Sequence, residues 1–265
     1  MNILSGSLPS NNCILNAIKV SRNFGGLKAV DNVDFFVKKH EIMGLIGPNG
    51  AGKTTLFNLF TGHYQPSAGE IFFNKEKING LKPYQITAKG LARTFQNIRL
   101  FSKMTVLDNV LIGRHTKTSS GLLGAILRRP SDKREEAEAK DVAMALLAFV
   151  GLDAKKDEQA GSLSYGEQRR LEIARALAAD PVLLLLDEPA AGMNPQETVN
   201  LMKLITRIRS EMNKTILLIE HDMKVVMGIS ERVAVLNYGR KIAEGTPAEI
   251  QRNEDVIKAY LGVST

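Results

Sequence analysis

The sequence predicts an α/β fold in which an α/β core is interrupted by a helical insertion. Continuous apolar runs of strand length, such as residues 182–186, are typical of parallel strands buried on both faces. A second short run, residues 42–46, leads into a glycine-rich turn and then into apolar residues at helical spacing. Between these two runs, residues 83–179 have a mainly helical pattern. We therefore expect strands and helices to alternate in the core, with a helical subdomain inserted between them.

The N-terminal part predicts a tail and a small antiparallel β-subdomain. Residues 1–13 form a flexible tail in this interpretation, because the first twelve are mostly polar. Residues 14–39 contain two apolar runs that flank the loop Phe24-Gly25-Gly26-Leu27, which indicates a hairpin. Residues 70–73 are a further strand candidate.

The middle of the chain predicts the helical subdomain, approximately residues 97–178. Residues 132–135 resemble a capping box, and Gly151 is a suitable helix terminator. Residues 116–131 are rich in Ser, Gly and Arg and predict a solvated loop, with a location near lipid headgroups as the alternative.

The C-terminal part reverts to strands that alternate with helices. Strands are expected at residues 182–186, 215–219 and 232–236. Asn194 is a suitable N-cap for a helix with a proline in its first turn. The predicted buried stripe of that helix consists of Val199, Met202, Ile205 and Ile208. We expect the main domain to cover residues 14–252 and a helical extension to cover residues 253–265.

Composition limits the class of protein. The 265 residues include 44% hydrophobic and 24% charged residues, which is usual for a soluble globular chain. No apolar run approaches the roughly 20 residues of a membrane span, and the N-terminus lacks a signal core, so a cytoplasmic location is expected. The single Cys13 fits a reducing compartment. The net charge of +7 permits an acidic partner, but scattered charges and 6% aromatic residues give little support for nucleic acid.

A phosphate-binding motif follows the strand at residues 42–46. It fits the pattern G-x-x-x-x-G-K-[ST] and consists of Gly47, Pro48, Asn49, Gly50, Ala51, Gly52, Lys53, Thr54 and Thr55. In a strand–turn–helix context, backbone N–H groups and the positive end of the helix converge on phosphate. Lys53 would reach the β- and γ-phosphates, and Thr54 would ligate Mg²⁺. The alternative, a glycine turn with an ordinary surface lysine, does not explain that context, so the motif predicts a nucleotide-binding P-loop NTPase core.

Two carboxylates follow the buried run at residues 182–186. Asp187 and Glu188 lie at the carboxyl end of a strand, where α/β sheets hold their ligands. Asp187 can hold Mg²⁺ through water, opposite Thr54, and Glu188 can polarise the water that attacks the γ-phosphate. The alternative is a pair of helix-capping acids.

The order of the motifs resembles that of ATP-binding cassette (ABC) ATPases. A phosphate loop, Gln96, the hexapeptide LSYGEQ at residues 163–168, the sequence LLLLDEP and then His221 occur in this order. The resemblance covers roughly residues 14–250 and implies a RecA-like core, an antiparallel β-subdomain and an ABC-specific helical subdomain. The hexapeptide departs from the common LSGGQ form at Tyr165 and Glu167.

The resemblance implies a role for each motif residue. Phe24 would stack on adenine, or else is a core phenylalanine. Gln96 would contact Mg²⁺ and the attacking water, or else is a surface glutamine. Ser164 and Gly166 would donate to the γ-phosphate of ATP held by a second subunit. His221 would contact the γ-phosphate, or else is a structural histidine.

The resemblance also implies partners. Because the hexapeptide cannot reach its own phosphate loop, two ATPase subunits, identical or closely related, would bind ATP head to tail, with residues 190–194 crossing their interface. Integral membrane permeases would bind the helical subdomain on the inner face of the cell membrane. A periplasmic or extracellular solute-binding protein would act on this subunit only indirectly.

Three segments resemble the ATPases of branched-chain amino-acid importers: residues 92–101, residues 163–177 and the ending AYLG at residues 259–262. ATPases of lipopolysaccharide export share much of the second segment and are the alternative. A soluble ABC protein of translation or DNA maintenance is a rival, although this chain has neither two cassettes nor a long coiled coil. The other rival is a non-hydrolysing regulator, which would lack the base that Glu188 supplies.

Overall fold

The computed structural model describes residues 12–114 and 130–261. The chain divides into two compact units, residues 1–83 with 213–265 and residues 84–212. The predicted tail and the Ser-, Gly- and Arg-rich segment lie almost wholly outside the described residues. Within the described residues, none of the helices is both long enough and apolar enough to cross a membrane.

The first unit contains an antiparallel sheet in the order β2-β1-β4-β5. Its strands are β1 (Cys13–Phe24), β2 (Leu27–Lys38), β4 (Ala68–Phe73) and β5 (Glu76–Lys77). Phe24 pairs with Leu27 across a two-residue turn, and Gly25 has a φ of 56°, which a glycine adopts without steric cost. The predicted hairpin and the strand after it are therefore confirmed.

The first unit also contains parallel strands. The central strand β3 (Ile42–Ile46) pairs with β8 (Thr215–Ile219) and β9 (Arg232–Asn237), and β10 (Arg240–Gly245) runs antiparallel to β9. Every residue of β3 and β8 is buried, as expected for parallel strands covered on both faces. The helices of this unit are α1 (Lys53–Phe60), α7 (Met223–Ile229), α8 (Pro247–Arg252) and α9 (Glu254–Leu261).

The last helices of the first unit pack beneath the phosphate loop. Val256 of α9 and Ile250 of α8 belong to the same buried cluster as Ile46, the residue directly before Gly47. The cluster also contains Val226, Val233 and Val235. The C-terminal helical extension is thus part of the core that supports this loop.

The second unit is mainly helical. The helix α2 (Pro83–Ala88) begins at its boundary, and two short parallel strands, β6 (Leu91–Arg93) and β7 (Leu183–Asp187), pair with each other. Helices α3 (Val106–Arg114), α4 (Pro130–Val150) and α5 (Tyr165–Ala178) pack against one another, and α6 (Pro195–Glu211) follows β7.

Three local predictions for the second unit need correction. The helical pattern after residue 83 conceals β6, a strand of only three residues. The predicted capping box at residues 132–135 lies inside α4, which begins at Pro130. The stripe of α6 is also different, because Val199 is exposed and the buried residues are Leu201, Leu204, Ile205 and Ile208.

Candidate functional site

The phosphate-loop motif lies in the first unit, between the end of β3 and the start of α1. Its three glycines have φ angles that side chains rarely adopt, 149° at Gly47, 78° at Gly50 and 101° at Gly52. A Cβ atom on Gly47 would lie 2.1 Å from the carbonyl oxygen of Leu236, and one on Gly52 would lie 2.4 Å from that of Ala29. The turn and its close packing therefore both require glycine.

The loop concentrates positive charge at the start of α1. The Lys53 side chain is buried, and its ammonium group donates to the carbonyl oxygens of Gly47 at 2.7 Å and Pro48 at 3.0 Å. Helix α1 has no acidic residue in its first turn and no side-chain cap, whereas α5, α6 and α8 each begin with a capping box. An anion is the natural partner for such a helix start. The exposed Thr54 is in the same turn, and its hydroxyl is the kind of oxygen ligand that Mg²⁺ prefers.

Phe24 is a partly exposed ring at the end of β1, and 38% of the residue is accessible. It packs edge-to-face against Tyr64, with ring centroids 5.1 Å apart. The guanidinium carbon of Arg22 lies 4.6 Å from the Phe24 centroid, within the range of a cation–π contact. Phe24 is therefore not a core side chain, and its exposed part is available for stacking on a flat ligand.

His221 lies two residues after the end of β8, also in the first unit. Its side chain is 61% exposed, and Nδ1 lies 4.0 Å from a carboxylate oxygen of Glu220, which is completely buried. An imidazole with this exposure is accessible to a ligand, whereas the preceding carboxylate is held in the interior.

The two predicted carboxylates lie in the second unit. Asp187 is the last residue of β7, a strand whose five residues are all buried. Its Oδ2 accepts a hydrogen bond of 2.6 Å from Nη2 of Arg93, and the two side chains are only 6% and 7% exposed. Glu188 follows with a φ of 46°, a left-handed conformation that is uncommon for a residue with a side chain. Strain of this kind is concentrated at functional sites.

Gln96 contacts Glu188 directly. The amide Nε2 of Gln96 donates to Oε2 of Glu188 over 2.8 Å. Gln96 lies in the loop after β6, and β6 pairs with β7, so adjacent strands deliver the two side chains. The glutamine is exposed, but its hydrogen bond to Glu188 distinguishes it from an ordinary surface glutamine.

The loop that carries Gln96 is held by a buried ion pair on α5. Arg169 is completely buried, and its Nη1 donates to the carbonyl oxygen of Phe95 and to Oε2 of Glu172, both at 2.7 Å. Its Nη2 donates to the carbonyl oxygen of Gln96, also at 2.7 Å. No sequence motif predicts this pair. In the sequence, the pair is visible only as an arginine and a glutamate three residues apart within the apolar face of a helix.

The hexapeptide forms a capped helix start. Ser164 is the N-cap of α5, and its Oγ accepts from the N–H of Glu167 at 3.4 Å while the Glu167 carboxylate accepts from the N–H of Ser164 at 3.0 Å. The Lys155 ammonium group, 2.9 Å from that carboxylate, keeps the pKa of Glu167 below its ordinary value. A Cβ atom on Gly166 would lie 2.8 Å from Oε1 of Glu197, so a larger residue here would require the Glu197 side chain to shift.

The predicted site residues thus divide between the two units. The first unit contains Phe24, the phosphate loop and His221, and the second contains Gln96, Ser164, Gly166, Asp187 and Glu188. Within the second unit, Gln96 and Glu188 are in direct contact. The carboxylate of Asp187 and the amide oxygen of Gln96 are ligands of the type that Mg²⁺ prefers.

Two family profiles match the sequence of this chain. The sequence profile of the ABC transporter family matches residues 30–191, which is more than half of the chain. The profile of the branched-chain amino acid ATP-binding cassette transporters matches residues 240–264.

Individual relatives are similar over almost their whole length. The high-affinity branched-chain amino acid transport ATP-binding protein LivG of Escherichia coli K12 is 52% identical over 239 residues, which cover 90% of this chain and 94% of LivG. The corresponding protein BraF of Pseudomonas aeruginosa is 49% identical, covering 94% and 98%. The lipopolysaccharide export system ATP-binding protein LptB of E. coli K12 is less similar, at 34% identity, covering 94% and 97%.

A solved structure has the same fold. It is the crystal structure of the ADP conformation of MJ1267, an ATP-binding cassette of an ABC transporter. The TM-score is 0.82 at 31% sequence identity, and the match covers 94% of this chain and 99% of that one.

Proposed function

The chain belongs to the family of ABC transporter ATPases, and on that premise we propose that it powers a permease that imports branched-chain or related hydrophobic amino acids. The predicted fold class, a P-loop NTPase core with an antiparallel β-subdomain and a helical subdomain, is confirmed, as is the assignment as an ATPase. The names of LivG and BraF support the cargo class. The lower identity to LptB makes lipopolysaccharide export the second choice.

The observation that carries the proposed hydrolysis is the hydrogen bond between Gln96 and Glu188. It fixes one carboxylate oxygen of Glu188 over 2.8 Å. A carboxylate held in this way can orient and deprotonate a water molecule. A regulator that binds ATP without hydrolysing it has no use for such a base.

The local geometry of each unit supports the proposed roles of these residues in nucleotide binding. The phosphate loop binds the phosphates through its N–H groups and the ammonium group of Lys53, and the ring of Phe24 stacks on adenine. Thr54 in the first unit, and Asp187 and Gln96 in the second, each offer an oxygen of the kind that would hold Mg²⁺, and the metal would neutralise charge on the phosphate oxygens. His221 contacts the γ-phosphate.

The active assembly contains a second ATPase subunit, identical or closely related. Ser164 and Gly166, at the start of α5, donate to the γ-phosphate of the ATP held by that subunit. Residues 190–194 lie at the subunit interface. The pair binds integral membrane permeases from the cytoplasmic side, a solute-binding protein acts through those permeases, and nucleic acid is not a partner.

The test is a mild-detergent purification of the tagged chain from its own membranes with Mg²⁺ and ATP. Wild type and Glu188→Gln are compared, because the variant should retain the ATP-bound assembly. Two hydrophobic permeases and an ATPase subunit should copurify, with higher recovery for the variant. Permeases of lipopolysaccharide export would favour the second choice. Recovery only from the soluble fraction with ribosomes would contradict the transport function.

A further inference from the structure

We propose that Arg93 competes with Mg²⁺ for the carboxylate of Asp187, so that metal binding loosens the segment that carries Gln96. The proposal deepens the proposed function and rests on its assignment of Asp187 as a magnesium ligand. Nothing in the motif patterns of the sequence assigns a role to Arg93.

In the structure, the guanidinium group of Arg93 is bound to Asp187, the proposed magnesium ligand. Arg93 is the last residue of β6, and Asp187 is the last residue of the neighbouring parallel strand β7. Nη2 of Arg93 lies 2.6 Å from Oδ2 of Asp187, at the short end of charge-assisted hydrogen bonds. Both side chains are more than nine-tenths buried, so water does little to screen the pair.

A buried carboxylate needs a counter-charge, and either a guanidinium group or a divalent cation can supply it. Both together on one carboxylate repel each other, and the repulsion is strong where water is excluded. Arg93 therefore supplies the counter-charge for the Asp187 carboxylate and lowers the affinity of that carboxylate for Mg²⁺. Metal binding must displace the guanidinium group from Oδ2 or share the carboxylate with it.

The segment that carries Arg93 and Gln96 also contacts Glu188, the carboxylate next to Asp187. Arg93 and Gln96 are three residues apart, and they contact Asp187 and Glu188, which are adjacent in the chain. A displaced guanidinium group has an alternative partner in the ring of Phe95, whose centroid is already 5.4 Å from its central carbon. Release at Arg93 therefore removes a side-chain link between this segment and the carboxylates, while the contacts of Arg169 with the backbone of Phe95 and Gln96 remain.

The chain offers a matched control. Arg232 and Glu41 form another buried pair, with a distance of 2.6 Å and side chains 13% and 7% exposed, and Arg232 also pairs with Glu244. Arg232 is the first residue of β9 and Glu41 directly precedes β3, so both lie at the opposite end of those strands from the phosphate loop. Loss of this pair should affect stability and leave the response to Mg²⁺ unchanged.

The test measures binding of a fluorescent ATP analogue as a function of Mg²⁺ concentration, with all chains in the Glu188→Gln background so that no hydrolysis occurs. The chains are the background alone, Arg93→Met, Arg93→Lys and Arg232→Met. Thermal unfolding with and without Mg²⁺ is a second readout. For Arg93→Met we expect the half-saturating Mg²⁺ concentration to fall on the order of tenfold and the stabilisation by Mg²⁺ to increase.

Arg93→Lys should lower the half-saturating concentration by a smaller factor, about threefold, because its compact ammonium group makes a single contact; it carries the test if Arg93→Met does not fold. Equal half-saturating concentrations in the background and in the folded Arg93 variants, or an equal change in Arg232→Met, would overturn the competition. If the background itself binds nucleotide without any dependence on Mg²⁺, the assignment of Asp187 as a magnesium ligand fails instead, and the two failures are therefore distinguishable.

Discussion

Gln96 and Glu188 are joined by a hydrogen bond of 2.8 Å, although they are 92 residues apart in the sequence. The two residues follow the neighbouring strands β6 and β7, and the backbone carbonyl of the same glutamine accepts a hydrogen bond from the buried Arg169. The side chain of the glutamine thus contacts the proposed base while its backbone is tied to α5, the helix that begins with the hexapeptide. A structural change at Glu188 or in α5 can therefore be transmitted to the other through Gln96.

The first prediction concerns the proposed base. Glu188→Gln keeps the size of the side chain and its contact with Gln96 but removes the charge, so ATP turnover should fall at least about 10²-fold. Nucleotide affinity should remain within about twofold, since it comes from other groups. Steady-state phosphate release and equilibrium binding measure the two quantities. Glu211→Gln, in an exposed pair with Arg207, is the matched control and should hydrolyse ATP normally. Wild-type turnover by Glu188→Gln would exclude Glu188 as the base.

The second prediction distinguishes the orientation of the Glu188 carboxylate from its role as the base. Gln96→Ala removes the amide that holds Oε2 of Glu188, so the carboxylate remains but loses one fixed partner. Turnover should fall by about tenfold, less than for Glu188→Gln, because a positioned base contributes through its orientation as well as its charge. Single-turnover hydrolysis at saturating ATP measures this step without product release. An equal loss in both variants would mean that Gln96 acts on the chemistry itself.

Sequence patterns predict most of the strands and the phosphate loop, because local periodicity and glycine chemistry determine them. They miss β6, because a three-residue strand is defined by its pairing with β7 and not by its own residues. They place the stripe of α6 partly on Val199, because a series of strict three-residue steps drifts around the helix by about 60° per step. Val199 and the buried Leu201 are two residues apart and face different sides of the helix. Which of two overlapping faces is buried depends on tertiary packing.

The motif residues of the site can likewise be predicted from the sequence, but the charged residues that hold them in position cannot. Arg93, Arg169 and Glu172 carry charges, and charged residues are expected at the surface unless a partner is known. Each partner comes from another strand, or from a position on the same helix whose burial is decided by packing. Such pairs can be recognised only when the fold is known.

A third prediction concerns the exposed ring at the end of β1. Phe24→Ala should weaken ATP binding by about tenfold, since stacking on an aromatic ring contributes about 1–3 kcal/mol per base. Tyr64→Ala should weaken it less, because Tyr64 positions Phe24 through its edge-to-face contact. Displacement of a fluorescent ATP analogue gives the affinities. Tyr84→Ala, which alters an exposed tyrosine of the other unit, is the control. Unchanged affinity in Phe24→Ala would exclude stacking by this ring.

The last prediction concerns the buried pair of α5. Arg169→Met leaves the Glu172 carboxylate buried without its charged partner and removes the donors to the carbonyl oxygens of Phe95 and Gln96. Breaking such a pair costs about 3–5 kcal/mol, which corresponds to a fall in Tm of roughly 10 °C. The double variant Arg169→Met with Glu172→Leu should recover part of that loss, because no unpaired charge remains in the interior. Thermal unfolding measures all three chains. A double variant no more stable than the single one would show that the carbonyl contacts, rather than the ion pair, account for the stability.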